Sequence, residues 1–560
     1  MNAKQSFSRK IVFGRIFALT FCGGFLACCV PACSTPEQDT PGQTLALLLP
    51  NAPAMRSLTD NLAIESFVEI PELGIKSPLT RNGDKVVGDI PNIPTGEYTI
   101  RVLIDAPNTP YNRVGLAASQ RKVVIRPGLN RISLDESETT YPDDDNDKYS
   151  NLAELRYDTD PYDYKDRPRT PRAFITSQAG TGDLSSWTDA AGQSGLAAAD
   201  AICQARARAA GLDGQFVAWL SDDKNDAACR VLGLSGSWTR NCGQPSPPDG
   251  GPWIRMDGFP FIKSLQEFLR AGVQYAPLEF NEFGASFVEN LLFFQVDAGA
   301  GSWNGVGVQS NNCRNWTTSS ADSLGGAGSN VQSTFHWTTG FDSSCDTHSS
   351  LFCFELPEKA PLPSFKQQGQ LAFHTSVSGN GDLSSWPDAR GETGIQAGDA
   401  ICQNRARAGG LPHPERFKAW LSNDDHAAHE HIQSNGPWVR PDGVLIAKSR
   451  HELIQSGVFT GISVDEYGHY QTKPLPDASG TDDAWLGVPA LGDRPSAHCH
   501  NWTSSDASLK GFAASTSKAG RYWNGRTLDL NLSELTEYVD ENWPRIPNCS
   551  ARLRLLCFED

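Results

Sequence analysis

The last two thirds of this chain are written twice. Gly182-Asp183-Leu184-Ser185-Ser186-Trp187 returns as Gly381-Asp382-Leu383-Ser384-Ser385-Trp386, and Asp200-Ala201-Ile202-Cys203-Gln204 returns as Asp399-Ala400-Ile401-Cys402-Gln403. Ala218-Trp219-Leu220-Ser221 and Gly251-Pro252-Trp253-Ile254-Arg255 return as Ala419-Trp420-Leu421-Ser422 and Gly436-Pro437-Trp438-Val439-Arg440. Cys313-Arg314-Asn315-Trp316-Thr317 and Cys353-Phe354-Glu355 return as Cys499-His500-Asn501-Trp502-Thr503 and Cys557-Phe558-Glu559. The same steps in the same order define two copies of one unit. Copy one covers 172–357 and copy two 371–560, with Pro357 to Gln370 between them.

Local signals outline that unit. Ala173-Phe174-Ile175-Thr176 and Ala372-Phe373-His374-Thr375 read as opening strands. Leu196 to Ala210 and Ile395 to Ala408 read as Ala-rich amphipathic helices, each with a Cys on the inner face. Ser264-Leu265-Gln266-Glu267 and Ser449-Arg450-His451-Glu452 are capping boxes and predict a second helix in each copy. Leu351-Phe352-Cys353-Phe354 and Leu555-Leu556-Cys557-Phe558 are β-rich closing runs. The unit is therefore α+β, with a long loop-rich middle.

Ten of the 14 Cys lie beyond residue 200. The four Cys common to both copies allow three pairings per copy. The expected pairing joins first with last (Cys203–Cys353, Cys402–Cys557) and the inner two (Cys313–Cys345, Cys499–Cys549). The outer bridge closes a loop of more than 100 residues, where chain entropy gives roughly 4–5 kcal/mol. Cys229 and Cys242, present only in copy one, are expected to bridge locally.

The first residues read as an export signal. Lys4, Arg9, Lys10 and Arg15 precede an apolar run from Ile16 to Val30, too short to span a bilayer. Val30-Pro31-Ala32-Cys33-Ser34 resembles the lipobox of bacterial lipoproteins, which implies cleavage after residue 32 and lipidation of Cys33. Cys28 and Cys29 are competing positions. Domain 1–33 is thus expected to be a lipoprotein signal, and the destination a bacterial cell envelope, lipid-anchored at the outer membrane or cell surface. An exported chain is expected to carry disulfides.

Residues 45–135 contain short β-rich runs: 45–49, 67–70, 98–104, 122–125 and 130–134. Gly, Pro and Asn clusters separate them, which favours an all-β sandwich. Pro94-Thr95-Gly96-Glu97-Tyr98 resembles a turn of bacterial Ig-like modules. With neither Cys nor His, this segment reads as a spacer.

Residues 136–170 form an acidic linker. Asp143, Asp145, Asp147, Tyr149, Asn151 and Glu154 stand at positions 1, 3, 5, 7, 9 and 12 of a calcium-loop register. Calcium needs six to eight hard oxygens. Alternate carboxylates converge as the chain wraps the ion, Tyr149 offers its main-chain carbonyl, and Glu154 closes the shell. Lys148 replaces the usual Gly at position 6. With the following Asp158-Thr159-Asp160-Pro161, the segment resembles one thrombospondin type-3 repeat, with Asp158 where that family has Gly. The resemblance implies structural Ca2+.

A helix Cys, then the Trp219-Leu220 run, then Cys313, then Cys345 shortly before Cys353 resembles the C-type-lectin-like fold, and the endostatin and link-domain branch is similar too. More narrowly, the Asp-Ala-Ile-Cys-Gln helix, the Ala-Trp-Leu-Ser step, the Cys-x-Asn-Trp-Thr step and the closing Cys-Phe-Glu resemble an uncharacterised domain family of bacterial surface lipoproteins. The implied architecture is multidomain: an all-β sandwich followed by two α+β, disulfide-bonded, C-type-lectin-like domains. Sugar-binding lectins of that superfamily carry Glu-Pro-Asn or Gln-Pro-Asp and Trp-Asn-Asp, and neither copy does. Calcium-dependent sugar binding of the mannose type is therefore not expected.

Ten Trp pair between the copies: Trp187, Trp219, Trp253, Trp316 and Trp337 with Trp386, Trp420, Trp438, Trp502 and Trp523. Repetition in both copies points to core. Trp238 and Trp543 have no counterpart and are the candidate ligand-binding residues, alongside an insert at 280–301 with Phe283, Phe287, Phe293 and Phe294. His426, His429 and His431 cluster in copy two, but match no strict metal motif and read as a solvated polar segment. No nucleophile elbow, phosphate loop or dinucleotide fingerprint occurs, so no enzyme activity is expected.

The expected function is binding of an extracellular glycan or protein through two lectin-like heads. A structural envelope protein without ligand is the alternative, and an enzyme on the lectin-like fold a further one. The net charge of −17 is local: residues 135–167 hold 12 acidic and 4 basic residues, a net of −8. No basic patch accompanies it, so nucleic acid is not an expected partner.

Overall fold

The structure is a computed structural model. It describes residues 43–50, 63–82, 85–134, 138–286, 297–299, 311–333, 337–338, 341–357, 360–471, 483–486, 497–520, 523 and 546–560. Cys33 and its competitors, Trp543, Phe287, Phe293 and Phe294 lie outside these residues. Among the described residues the protein is mixed and sheet-rich, with few helices and five disulfides.

Among the described residues, the N-terminal portion holds eight strands: β1 Gln43–Pro50, β2 Glu65–Ile70, β3 Ile75–Asn82, β4 Lys85–Ile93, β5 Gly96–Thr109, β6 Asn112–Ile125, β7 Leu129–Ser133 and β8 Thr139–Thr140. Their order is β7-β1-β4-β3-β2-β5-β6-β8. β3 belongs to two halves: its first residues pair with β2 and its last three with β4. Val68, Ile70, Ile100 and Val102 from one half pack with Leu79, Ile90, Ile93 and Leu134 in one core. β3 and β4 carry no strong apolar alternation, and β3 contains Pro78. Pairing with neighbours, rather than local pattern, holds them as strands.

Each copy is organised around three short strands. In copy one, Phe352–Glu355 lies between Ala173–Ile175 and Phe216–Ala218, antiparallel to both. In copy two, Arg554–Glu559 lies between Gln370–His374 and Phe417–Ala419 in the same way. Alternation along the central strand divides each copy into two layers. Cys353 joins the core under helix Gly195–Ala209, while Phe352 and Phe354 face a Trp-rich core with Trp219, Trp253 and Trp337. Cys557, and Leu556 with Phe558, divide likewise in copy two, where the helix is Gly394–Ala408. All ten paired Trp are buried.

The disulfides are Cys203–Cys353, Cys229–Cys242, Cys313–Cys345, Cys402–Cys557 and Cys499–Cys549. The second helices begin at caps: the Ser264 and Ser449 hydroxyls accept from the Glu267 and Glu452 amides, at 3.1 and 3.2 Å.

The two copies meet with approximate twofold symmetry. Val331 and Ser333 lie 18 and 20 residues past Cys313, as Ser517 and Ala519 do past Cys499. The Ser333 amide donates to the Ser517 carbonyl at 2.8 Å, and the Ala519 amide to the Val331 carbonyl at 2.9 Å. Tyr275 and Thr460 are likewise equivalent, 20 residues past Arg255 and Arg440, and the Thr460 hydroxyl donates to the Tyr275 carbonyl. The buried Arg255 guanidinium of copy one stacks on Phe459 of copy two, 4.8 Å from its ring centre. Between the copies runs the linker, with Phe365 against Phe259 and Tyr275.

Candidate metal centre

The acidic loop begins after β8 and ends in the short helix Asn151–Arg156, capped by the Ser150 hydroxyl. Leu152 anchors that helix in a core with Ala106, Val114 and Leu116 of β5 and β6. The loop is thereby carried on the sheet.

Within the loop, carboxylates organise the main chain. Asp143 accepts from the Asp147 and Lys148 amides (3.2 and 3.0 Å), Asp145 from the Asp147 amide (3.1 Å), and Asp147 from the Tyr149 amide (2.7 Å). Asn146 and Lys148 take positive φ, 62° and 81°. The loop thus makes its sharp turn with Lys where Gly is easier. Asp158 also has positive φ, 57°, at the position where the resembled repeat has Gly.

Ligand atoms of Asp143, Asp145 and Asp147 lie within 4.8 Å of one another. Asp145 Oδ2, Asp147 Oδ2 and both Glu154 carboxylate oxygens are buried with no hydrogen-bond partner. Burying these four acceptors unpaired is costly, and the Asp143, Asp145 and Asp147 cluster beside them could hold a metal ion. Burial, reinforced by the neighbouring Asp147, Asp145 and Asp143 charges, pushes the Glu154 carboxyl up to about 8. Burial also raises Asp145 and Asp147.

Asn151 is placed differently from its neighbours. Its side-chain oxygen accepts from the Asp144 amide, and its nitrogen donates to the Gly115 carbonyl of β6 and to Asp144. The amide braces the loop against the sheet, beside the Asp143, Asp145 and Asp147 cluster that could hold a metal ion.

The loop also touches both copies' connection. The Tyr149 hydroxyl bonds Thr170, whose hydroxyl donates to the Pro361 carbonyl, and the Lys148 carbonyl accepts from the Ser364 amide.

Trp238 is half-buried against the Trp-rich core of copy one, with its amide on Asp226. His431 bonds Asp399 through Nε2, where copy one has Arg230 on Asp200. It therefore replaces a structural cation. Among the described residues, Asp143, Asp145 and Asp147 are the group of acidic, His or Cys side chains close enough together to hold a metal ion.

Sequence reasoning missed one repeated constellation. Residues 313–316 and 499–502 form left-handed turns, all with positive φ. Asn315 and Asn501 bond the exposed carboxylates of Asp223 and Asp424 at 2.7 and 2.9 Å. Asn312 and His498 cap the turns by accepting from the Asn315 and Asn501 amides. The repeated Asn-Trp was the available signal, but nothing local in it announces left-handed backbone.

No model of a known protein family matches this chain, and no curated protein matches it either.

Proposed function

We propose that this is an exported bacterial lipoprotein, anchored through Cys33, that presents two C-type-lectin-like heads on a β-sandwich stalk and binds an extracellular glycan or protein. The supporting observation is the duplication itself: two disulfide-closed copies of one unit, packed against each other, on a separate sheet domain. Paired sites raise modest affinities through effective concentration. All ten Cys beyond residue 200 are in disulfides, which speaks for recognition rather than thiol chemistry. Five disulfides also suit an oxidising, extracellular compartment. Among the described residues, no helix is long and apolar enough to cross a membrane.

The acidic loop is read as a structural calcium site. Asp143, Asp145, Asp147, Glu154 and the Tyr149 carbonyl would hold the ion, which would neutralise the buried carboxylates and stiffen the junction between stalk and heads. A glycan and matrix-protein array probed with the secreted chain should return a saturable ligand. The absence of any ligand at high micromolar protein would overturn the recognition reading and leave a structural envelope role.

A further inference from the structure

The ten paired Trp are buried, and so are Phe174 with Phe373, Phe216 with Phe417 and Phe354 with Phe558. One shared aromatic position is left in water. Phe283 is 56% exposed and Tyr467 47%. They are equivalent, because each lies two residues past the one that bridges the end of the opening strand, Asn281 to Ile175 and Asp465 to His374. Among the described residues, no other exposed large apolar or aromatic side chains occupy equivalent positions in the two copies. A single exposed ring is ordinary on a protein surface. A ring kept in water twice, while the other shared rings are buried, points to an occupant.

The same frame holds both rings. The Asn281 side chain accepts from the Phe283 and Ala285 amides at 3.0 Å, and the Asp465 side chain from the Tyr467 and His469 amides at 2.9 Å. The Glu282 and Glu466 side chains are fully buried and accept from Nε of Arg206 and Arg405, at 2.8 and 2.7 Å. These Arg stand on the helices Gly195–Ala209 and Gly394–Ala408. Each guanidinium lies beside the exposed ring, 5.7 Å from the centre of Phe283 and 5.6 Å from that of Tyr467. It also meets a partly exposed carboxylate, Asp189 at 3.2 Å and Asp388 at 3.5 Å. Each copy therefore presents a fixed apolar ring beside a carboxylate.

We infer that Phe283 and Tyr467 are platforms on which the heads stack neutral sugar rings, an assignment that rests on reading the heads as recognition units. A pyranose has a face of C–H groups and an edge of hydroxyls. The aromatic ring takes the face, and Asp189 or Asp388 accepts from the edge, the usual division between apolar contact and orienting polar groups in small-molecule sites. A protein partner is the poorer fit, since a protein hot spot sits within contacts that exclude water, whereas these rings are flanked by charge. An acidic sugar is the poorer fit too. Each Arg is balanced by its buried Glu, so the neighbouring Asp leaves the platform negative.

The test prints neutral oligosaccharides (glucans, mannans, galactans and N-acetylhexosamine oligomers), uronate oligomers and matrix proteins on one array and probes it with the secreted full chain. Saturable binding to a neutral oligosaccharide is expected. Calorimetry with that oligosaccharide should show two sites per chain. Phe283→Ala and Tyr467→Ala should each lose one, the double variant both, while Phe283→Tyr and Tyr467→Phe keep them. Tetranitromethane should nitrate Tyr467 in the free chain, and the oligosaccharide should protect it, as read by mass spectrometry. Undiminished binding by the folded double variant would overturn the platforms and leave recognition standing, as would binding to proteins or uronates only. A Tyr467 that resists nitration in the free chain would also overturn them, because the chain itself would then cover the ring. No binding to anything on the array would remove the recognition reading and the platforms together.

Discussion

At the residue scale, the consequential groups are the carboxylates with nothing to bond. Glu154 is fully buried, and its two oxygens have no partner. Calcium titrated into the secreted chain should give one saturable heat that Asp145→Ala abolishes; titration to millimolar calcium without heat would remove the ion from the account. The same carboxyl sets a pH dependence. Its folded-state value is raised from 4.5 to about 8. Between these values the unfolded chain has released the proton and the metal-free native state still holds it. The metal-free protein is therefore expected to lose stability as pH rises from about 4.5 to about 8. Bound calcium favours the ionised form and reverses that trend. Urea unfolding at pH 5 and pH 8, with calcium and with chelator, measures both signs. The Asp spacing was legible because the loop is local in sequence. The bracing role of Asn151 was not, since its partner Gly115 lies on a strand 36 residues earlier.

At the element scale, the repeated left-handed turns carry the clearest cost. Each non-glycine residue in that region costs about 1–2 kcal/mol, and each turn has four in succession. Tertiary ties hold them. Cys313 and Cys499 are in the inner bridges, and the Trp316 and Trp502 indoles donate to the Ser221 and Ser422 carbonyls at 2.8 Å. In copy two, His498 Nδ1 accepts from the Asn501 amide, so Nε2 carries the proton given to Asp424. This histidine does what Asn312 does in copy one. His498→Asn should leave stability within about 0.5 kcal/mol, whereas His498→Ala should cost about 1–2 kcal/mol, the range of a lost cap. Chemical denaturation of both variants separates the cap from a titrating or metal-binding histidine. The regular helices were readable from apolar spacing and caps, with bounds shifted by about one residue. Strands β3 and β4 were not, because their partners rather than their composition make them strands.

At the scale of the whole molecule, the loop, linker and copies are joined by a short relay. Tyr149 bonds Thr170, Thr170 bonds Pro361, and Phe365 farther along the linker packs on Phe259 and Tyr275 at the copy-to-copy contact. Loading the loop should therefore be felt in the linker. Hydrogen–deuterium exchange of residues 361–367 is expected to rise when calcium is chelated, and to rise with calcium present in Thr170→Val. Exchange unchanged in both cases would mean that loop and linker are neighbours without coupling. The twofold contact gives the molecule its other long-range tie. It sets equivalent residues of the two copies against each other, as in an isologous dimer fused into one chain.

The sequence by itself determined the duplication, the order of its repeated steps, the helix starts and the spacing of the acidic loop. Each of these is a matter of spacing along the chain, and spacing survives without a fold. The tertiary structure alone decided that the copies face each other about an approximate twofold axis. It alone showed that Asn151 braces the loop against β6. These depend on which surfaces meet across hundreds of residues, and such meetings are set by packing and by shared hydrogen bonds that no local pattern encodes.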